Sequence, residues 1–124
     1  MARILVAEDD AAVQSFVQRA LAHRGHEVTA VNDGMQALEA LQKATFDALL
    51  TDIVMPEMDG ISLALKVACD WPDLPVLLMT GYAAERQRVH NLDELVCEVI
   101  SKPFTLARIC DAVDAVLPPE GPGE

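Results

Sequence analysis

The stretch Ala48-Leu49-Leu50-Thr51-Asp52-Ile53-Val54-Met55-Pro56-Glu57-Met58-Asp59-Gly60 changes character at its fifth residue. Ala48 to Thr51 reads as a short, largely apolar strand buried on both faces, and it ends on a carboxylate, Asp52. Pro56 and Gly60 then mark a breaker-rich loop. In an open α/β sheet, ligands bind outside the carboxyl ends of the strands, so the position of Asp52 matters as much as its charge.

The pattern recurs outward from this stretch. Ile4 to Ala7 reads as a buried strand. Asp10 can cap a helix from Ala11 to about His23, with Val13, Phe16, Val17, Ala20 and Leu21 as its apolar stripe and Gly25 as its stop. Glu27 to Val31 reads as a strand, and Asn32 or Asp33 opens a helix in which Ala37, Leu38 and Leu41 recur at helical spacing. On the other side, Ser62 to about Asp70 reads as helix, ended by Trp71-Pro72-Asp73-Leu74-Pro75. Val76 to Met79 is a further apolar strand before Thr80-Gly81, and Ala83 to about His90 can form a helix. Leu95 to Ser101 holds a last strand ahead of Lys102-Pro103, and Thr105 caps a helix that ends at Pro118-Pro119. Five strands alternating with five helices predict a parallel sheet covered on both faces. One domain is expected over residues 1–118, followed by a disordered Pro- and Gly-rich tail at 119–124.

With 124 residues, 52% of them apolar, the chain supplies one sizeable core and little else. No apolar run reaches the roughly 18 residues that span a bilayer. Met1-Ala2-Arg3 leads straight into a strand, without a signal peptide's apolar region, so a soluble, cytoplasmic protein is expected. Nine basic against twenty acidic residues give a formal charge of −11, a field that repels nucleic acid and anionic lipid. Neither direct DNA binding nor membrane binding is expected, and a monomer or weak dimer is; the same charge also serves solubility alone. Cys69, Cys97 and Cys110 match no paired spacing and read as buried, inert thiols. His23 and His26 flank Gly25 at a helix end, where a cation suits the dipole.

Polar groups of three kinds collect at the strand ends: Glu8, Asp9 and Asp10 after the first strand, Asp52 after the third, Thr80 after the fourth and Lys102 after the fifth. Only the end of the second strand, at Val31-Asn32, lacks a comparable group. Carboxylates converging in one cleft repel, and at least one pKa should rise unless a cation is present. Mg²⁺ suits such a site, since it takes oxygen ligands and binds with one or two carboxylates plus waters and phosphate oxygens. Lys102 can neutralise a further oxygen and the Thr80 hydroxyl can donate to another, a set suited to phosphoryl transfer onto a carboxylate. Each residue also has a plainer reading. Asp10 can be only a helix cap, Thr80 a turn residue, and Asp52 or Lys102 a solvated charge.

Four segments carry a family resemblance: Ile4-Leu5-Val6-Ala7-Glu8-Asp9-Asp10, Leu50 to Gly60, Leu78-Met79-Thr80-Gly81 and Ser101-Lys102-Pro103-Phe104. Over about Arg3 to Leu117 the chain resembles the receiver domain of bacterial two-component response regulators. The resemblance implies a flavodoxin-like (CheY-like) fold with strand order 2-1-3-4-5. It implies Asp52 as phosphoacceptor for a histidine kinase or phosphotransfer protein, and Mg²⁺ held by Asp9 directly, by Glu8 through water, by Asp52 and by the Val54 main-chain carbonyl. Thr80 becomes the switch hydroxyl and Lys102 the phosphate-pairing ammonium, with a cis Lys102-Pro103 bond aiming the lysine inward.

Three departures from the family pattern stand out. Val99 replaces the usual Tyr or Phe three residues before the lysine, which puts coupling by an aromatic rotamer in doubt. His90-Asn91-Leu92-Asp93-Glu94 replaces the usual small-residue turn. Val54 and Tyr82 put apolar bulk two residues beyond Asp52 and Thr80, which would screen an acyl phosphate from water and slow self-dephosphorylation. Thr51 to Pro56, Leu78 to Tyr82 and Val99 to Thr105 also resemble the CpdR subgroup of single-domain regulators. That likeness implies control of regulated proteolysis by docking to a protease unfoldase. A haloacid-dehalogenase-type hydrolase would need an Asp two beyond its nucleophile, where this chain has Val54. A flavin or nucleotide module would need a Gly- or Ser-rich phosphate loop, where this chain has Glu8-Asp9-Asp10.

Overall fold

Short apolar runs without polar alternation can be satisfied only by a strand with neighbours on both faces, and the chain places its runs accordingly. The computed structural model describes residues 2–81, 96 and 98–117. Strands β1 (Arg3–Ala7), β2 (Glu27–Val31), β3 (Ala48–Asp52), β4 (Val76–Thr80) and β5 (Glu98–Ser101) form one sheet, in the order β2-β1-β3-β4-β5. All four neighbouring pairs are parallel. Every residue of β3 and β4 is buried, whereas β2, at the edge, is only half-buried beyond its exposed first residue. The flavodoxin-like order implied by the family resemblance is thus the one observed.

Helices α1 (Ala11–His23), α2 (Gly34–Lys43), α3 (Gly60–Asp70) and α4 (Leu106–Val116) cover the two faces. Alternation along the strands divides the core. Leu5, Leu49 and Leu78 pack with Leu38, Leu63 and Val67 under α2 and α3. Ile4, Leu50, Leu77 and Met79 pack with Val17, Leu21 and Ile109 under α1 and α4. Arg24 reaches Asp111 and Asp114 of α4, and His26 lies 2.9 Å from Asp114, so this histidine joins two elements and is not only a helix-end charge. The Cys110 thiol donates to the Ala20 carbonyl at 3.3 Å, as a buried cysteine should, whereas Cys69, expected to be buried, is free and exposed near the end of α3.

Each helix opens on a side-chain cap. Asp10 accepts from the Ala12 and Val13 N–H groups, Asp33 from Gln36, Asp59 from Ser62 and Thr105 from Arg108. Helix α3 therefore starts at Gly60, two residues before the start read from periodicity; its buried stripe begins in earnest only at Leu63, which hid the first turn. The expected Ala83–His90 helix, Tyr82, the 90–94 turn, Cys97 and the 119–124 tail lie outside the described residues. Among the described residues, no helix is long and apolar enough to cross a membrane. The Lys102-Pro103 peptide is cis, as the family resemblance implied.

The loop from β3 to α3 folds back on the strand that precedes it. The Met58 N–H donates to the Pro56 carbonyl at 2.7 Å around Glu57, whose φ of 69° makes this a three-residue turn of the kind rarely taken by a side-chain-bearing residue. The Gly60 N–H donates to the Ile53 carbonyl at 2.7 Å, and a Cβ at Gly60 would stand 2.0 Å from the Asp52 carbonyl oxygen. Only glycine allows that approach. Gly60→Ala is expected to cost more than about 2 kcal/mol, since backbone must move to relieve the overlap. Gly25, with φ of 91° and no atom within 4 Å of an added Cβ, should lose only about 1–2 kcal/mol on mutation to Ala. Urea unfolding of the two variants checks this, and equal losses would show that the Gly60 contact is not limiting.

Candidate functional site

The parallel sheet delivers its carboxyl ends to one edge, and the side chains there converge. Glu8, one residue past β1, is fully buried; its own N–H donates to the Val31 carbonyl at 3.1 Å. Its Oε2 accepts the Asp10 N–H at 3.0 Å and its Oε1 accepts Lys102 Nζ at 3.2 Å. Asp52 closes β3 and is 6% exposed. Its Oδ1 accepts the Ile53 N–H at 2.9 Å and its Oδ2 accepts Lys102 Nζ at 3.1 Å. Asp9 is exposed, yet carboxylate oxygens of Glu8, Asp9 and Asp52 all lie within 4.8 Å of one another. One ammonium thus stands against three carboxylates.

The charge imbalance shows in the protonation of the buried member. Burial, with the Asp52 charge adding to it, pushes the Glu8 carboxyl up to about 7, against the opposing pull of the Asp10 N–H and Lys102. Burial also works against the Lys102 ammonium, but the Asp52 and Glu8 carboxylates outweigh it and hold its pKa above the ordinary lysine value. A rise was expected from converging carboxylates; here burial is its larger cause and the Asp52 charge the smaller. A buried carboxyl near neutrality beside two other hard oxygen donors fits a small divalent cation such as Mg²⁺.

Above the acids opens a cleft of about 780 Å³, whose lining combines the charged Asp9, Asp52 and Lys102 with the apolar Val13, Phe16, Val54, Pro103 and Phe104. Helical spacing puts Phe16 in the apolar stripe of α1, which predicts a core-facing ring. Instead it is 40% exposed, and its ring packs against Phe104 at a centroid distance of 6.1 Å. Periodicity places it near the α1 stripe, and only the contact with the loop after Lys102 reveals it as part of the rim. Val54 is 53% exposed at the same rim. Thr80 is 2% exposed at the end of β4, opposite Ser101, and is not among the residues that line the cleft. Its carbonyl accepts the Lys102 N–H at 2.8 Å, so threonine and lysine are adjacent through their backbones.

A doubly wound sheet with an acidic, cation-seeking cleft at its carboxyl edge defines the class of α/β domain. The response regulator receiver domain model matches residues 4–114, and the chain belongs to that family. It is 42% identical over 117 residues to the response regulator receiver protein CpdR of Brucella abortus, covering 94% of this chain and 98% of that protein. It is 35% identical to the response regulator MprA of Mycobacterium leprae over 93% of this chain, and spans 50% of that relative's length. Among solved structures, TrrA of Thermotoga maritima in complex with Mg²⁺-BeF superposes with a TM-score of 0.86 at 25% identity, over 94% of this chain and all of that one. CheY4 of Vibrio cholerae superposes with a TM-score of 0.85 at 27% identity, over 94% and 99% of the two chains. A receiver domain is a signalling switch and not a classical enzyme.

The Glu8 carboxyl makes stability depend on pH. A carboxyl raised in the folded state from 4.5 to about 7 favours folding fully below its ordinary value, and that contribution is lost as pH rises through about 7. In chelator, the urea midpoint should fall between pH 5 and pH 8, added Mg²⁺ should recover it at pH 8, and Glu8→Gln should flatten the profile. A wild-type midpoint that rises over this range, with Glu8→Gln parallel to it, contradicts the assignment.

Proposed function

We propose that residues 1–118 act as a phosphorelay receiver in which Asp52 takes a phosphoryl group from the phosphohistidine of a histidine kinase or phosphotransfer protein. The observation that carries this is the meeting of Glu8, Asp9, Asp52 and Lys102 at one strand edge, with Lys102 Nζ 3.1 Å from Asp52 Oδ2. A carboxylate oxygen of Asp52 attacks phosphorus in line. The P–N bond breaks, its electron pair stays on the imidazole nitrogen, and that nitrogen takes a proton. The Ile53 N–H fixes the carboxylate through Oδ1, while Lys102 follows charge onto the phosphoryl oxygens. Asp9, Asp52, Glu8 and the Val54 main-chain carbonyl are the groups that would hold Mg²⁺, which supplies fixed positive charge to those oxygens. The Mg²⁺-BeF complex of TrrA supports the same use of the fold.

Thr80 then turns its hydroxyl toward the new phosphoryl oxygens and biases an existing equilibrium of the face that includes β5 and α4. The signal leaves through a cytoplasmic protein partner. The near-complete likeness in length to CpdR favours that subgroup's reading, control of proteolysis by docking to a protease unfoldase. Val54 at the cleft rim shields the acyl phosphate from water and makes self-dephosphorylation slow.

Labelling with radioactive acetyl phosphate and Mg²⁺ should mark wild type and leave Asp52→Ala blank, with Lys102→Ala slowed about 100-fold. Chased in Mg²⁺, the label should last minutes or longer. Equal labelling of wild type and Asp52→Ala ends the acceptor assignment, and loss within seconds ends the shielding argument. Titration against a purified ATP-dependent protease unfoldase should give affinities at least about tenfold apart with and without beryllofluoride, the 1–3 kcal/mol range of allosteric coupling. Equal affinities, or no binding, would remove the proteolytic reading.

A further inference from the structure

The carboxyl end of β2, at Val31-Asn32, adds no carboxylate to the acid cluster of the described residues, and a residue from α1 reaches it instead. Gln14, on the second turn of α1, directs Nε2 to the Glu8 carbonyl at 2.8 Å, the Val31 carbonyl at 2.9 Å and Asn32 Oδ1 at 3.0 Å. The Val31 carbonyl also accepts the Glu8 N–H, so the main chain of Glu8 is held to β2 from both sides of the residue. Asn32 is fixed in turn: its N–H donates to Gln36 Oε1 at 2.9 Å, beside the α2 cap in which the Gln36 N–H donates to Asp33 Oδ1 at 2.8 Å.

We infer that Gln14 is a positioning residue for the acidic turn, acting on the cation site through the Glu8 carbonyl. This rests on the Mg²⁺ reading given above. The Glu8 carbonyl belongs to the planar peptide that joins Glu8 to Asp9, so holding that oxygen fixes the direction in which the chain enters Asp9. Asp9 is the exposed member of the acid cluster, and the orientation of this peptide determines whether its carboxylate stays near those of Glu8 and Asp52. Groups that orient metal ligands without touching the metal typically govern affinity by about 10–100-fold.

The test is calorimetric Mg²⁺ titration of the full chain, with urea unfolding measured alongside. Gln14→Met keeps the bulk and removes the donor; Gln14→Ala removes donor and bulk together but is the best helix former, so α1 is favoured. Gln18→Met makes the same change one turn further along the helix. Both Gln14 variants should weaken Mg²⁺ binding about tenfold or more, with Gln18→Met within about twofold of wild type. If the Gln14 variants lose stability but keep wild-type Mg²⁺ affinity, Gln14 only braces the fold and the inference is wrong. Wild type that binds no Mg²⁺ overturns the cation reading itself, and Asp9→Asn that abolishes binding while the Gln14 variants keep it overturns only the role of Gln14.

Discussion

The contacts of Lys102 with Glu8 and Asp52, at 3.2 and 3.1 Å, are the constraint around which the site is arranged. Two buried carboxylates that share a strand edge need a cation or a proton between them, and breaking a buried pair leaves an uncompensated charge that costs several kcal/mol. Burial, with the Asp52 charge adding to it, raises the Glu8 carboxyl toward neutrality, while the two carboxylates hold the Lys102 pKa above the ordinary lysine value. The sheet order makes the meeting possible: β1 and β3 are hydrogen-bonded neighbours, and β4 brings β5 close enough for the lysine to reach across.

Much of this was legible in the sequence because strand burial and strand ends leave strong marks. The runs at Ile4, Ala48 and Val76, each followed by a polar group, gave both the parallel sheet and its functional edge. Side-chain caps were readable where a lone Asp or Thr precedes the apolar stripe, as at Asp10 and Thr105. They were blurred at Asp59, where Gly60, Ile61 and Ser62 carry little periodic signal. The roles of Phe16 and Gln14 are not legible in the sequence for a related reason. Their roles depend on contacts with Phe104 and with the Glu8 and Val31 carbonyls, and helical spacing does not encode a partner on another element.

The readout of the site sits less close to the family pattern than its chemistry. Val99 lies opposite Leu78 and packs against the core beneath α2 and α3, where a rotating aromatic would ordinarily have served as an indicator. A near-complete shift between two states needs roughly 5.5 kcal/mol of differential stabilisation. With a β-branched residue at that position, rotamer exchange supplies little of it, because valine is stiff about χ1.

The hydrogen bond from the Lys102 N–H to the Thr80 carbonyl sets a limit on how such a shift is expressed. Thr80 and Ser101 are register partners, so the last rung of the β4–β5 ladder and the start of the lysine loop form one linkage. A pull on the threonine main chain is transmitted to the lysine main chain along the same line. From that linkage the main chain runs through Pro103 and Phe104 directly to the helix cap at Thr105, a covalent path from cleft to α4 in which no side chain has to swing.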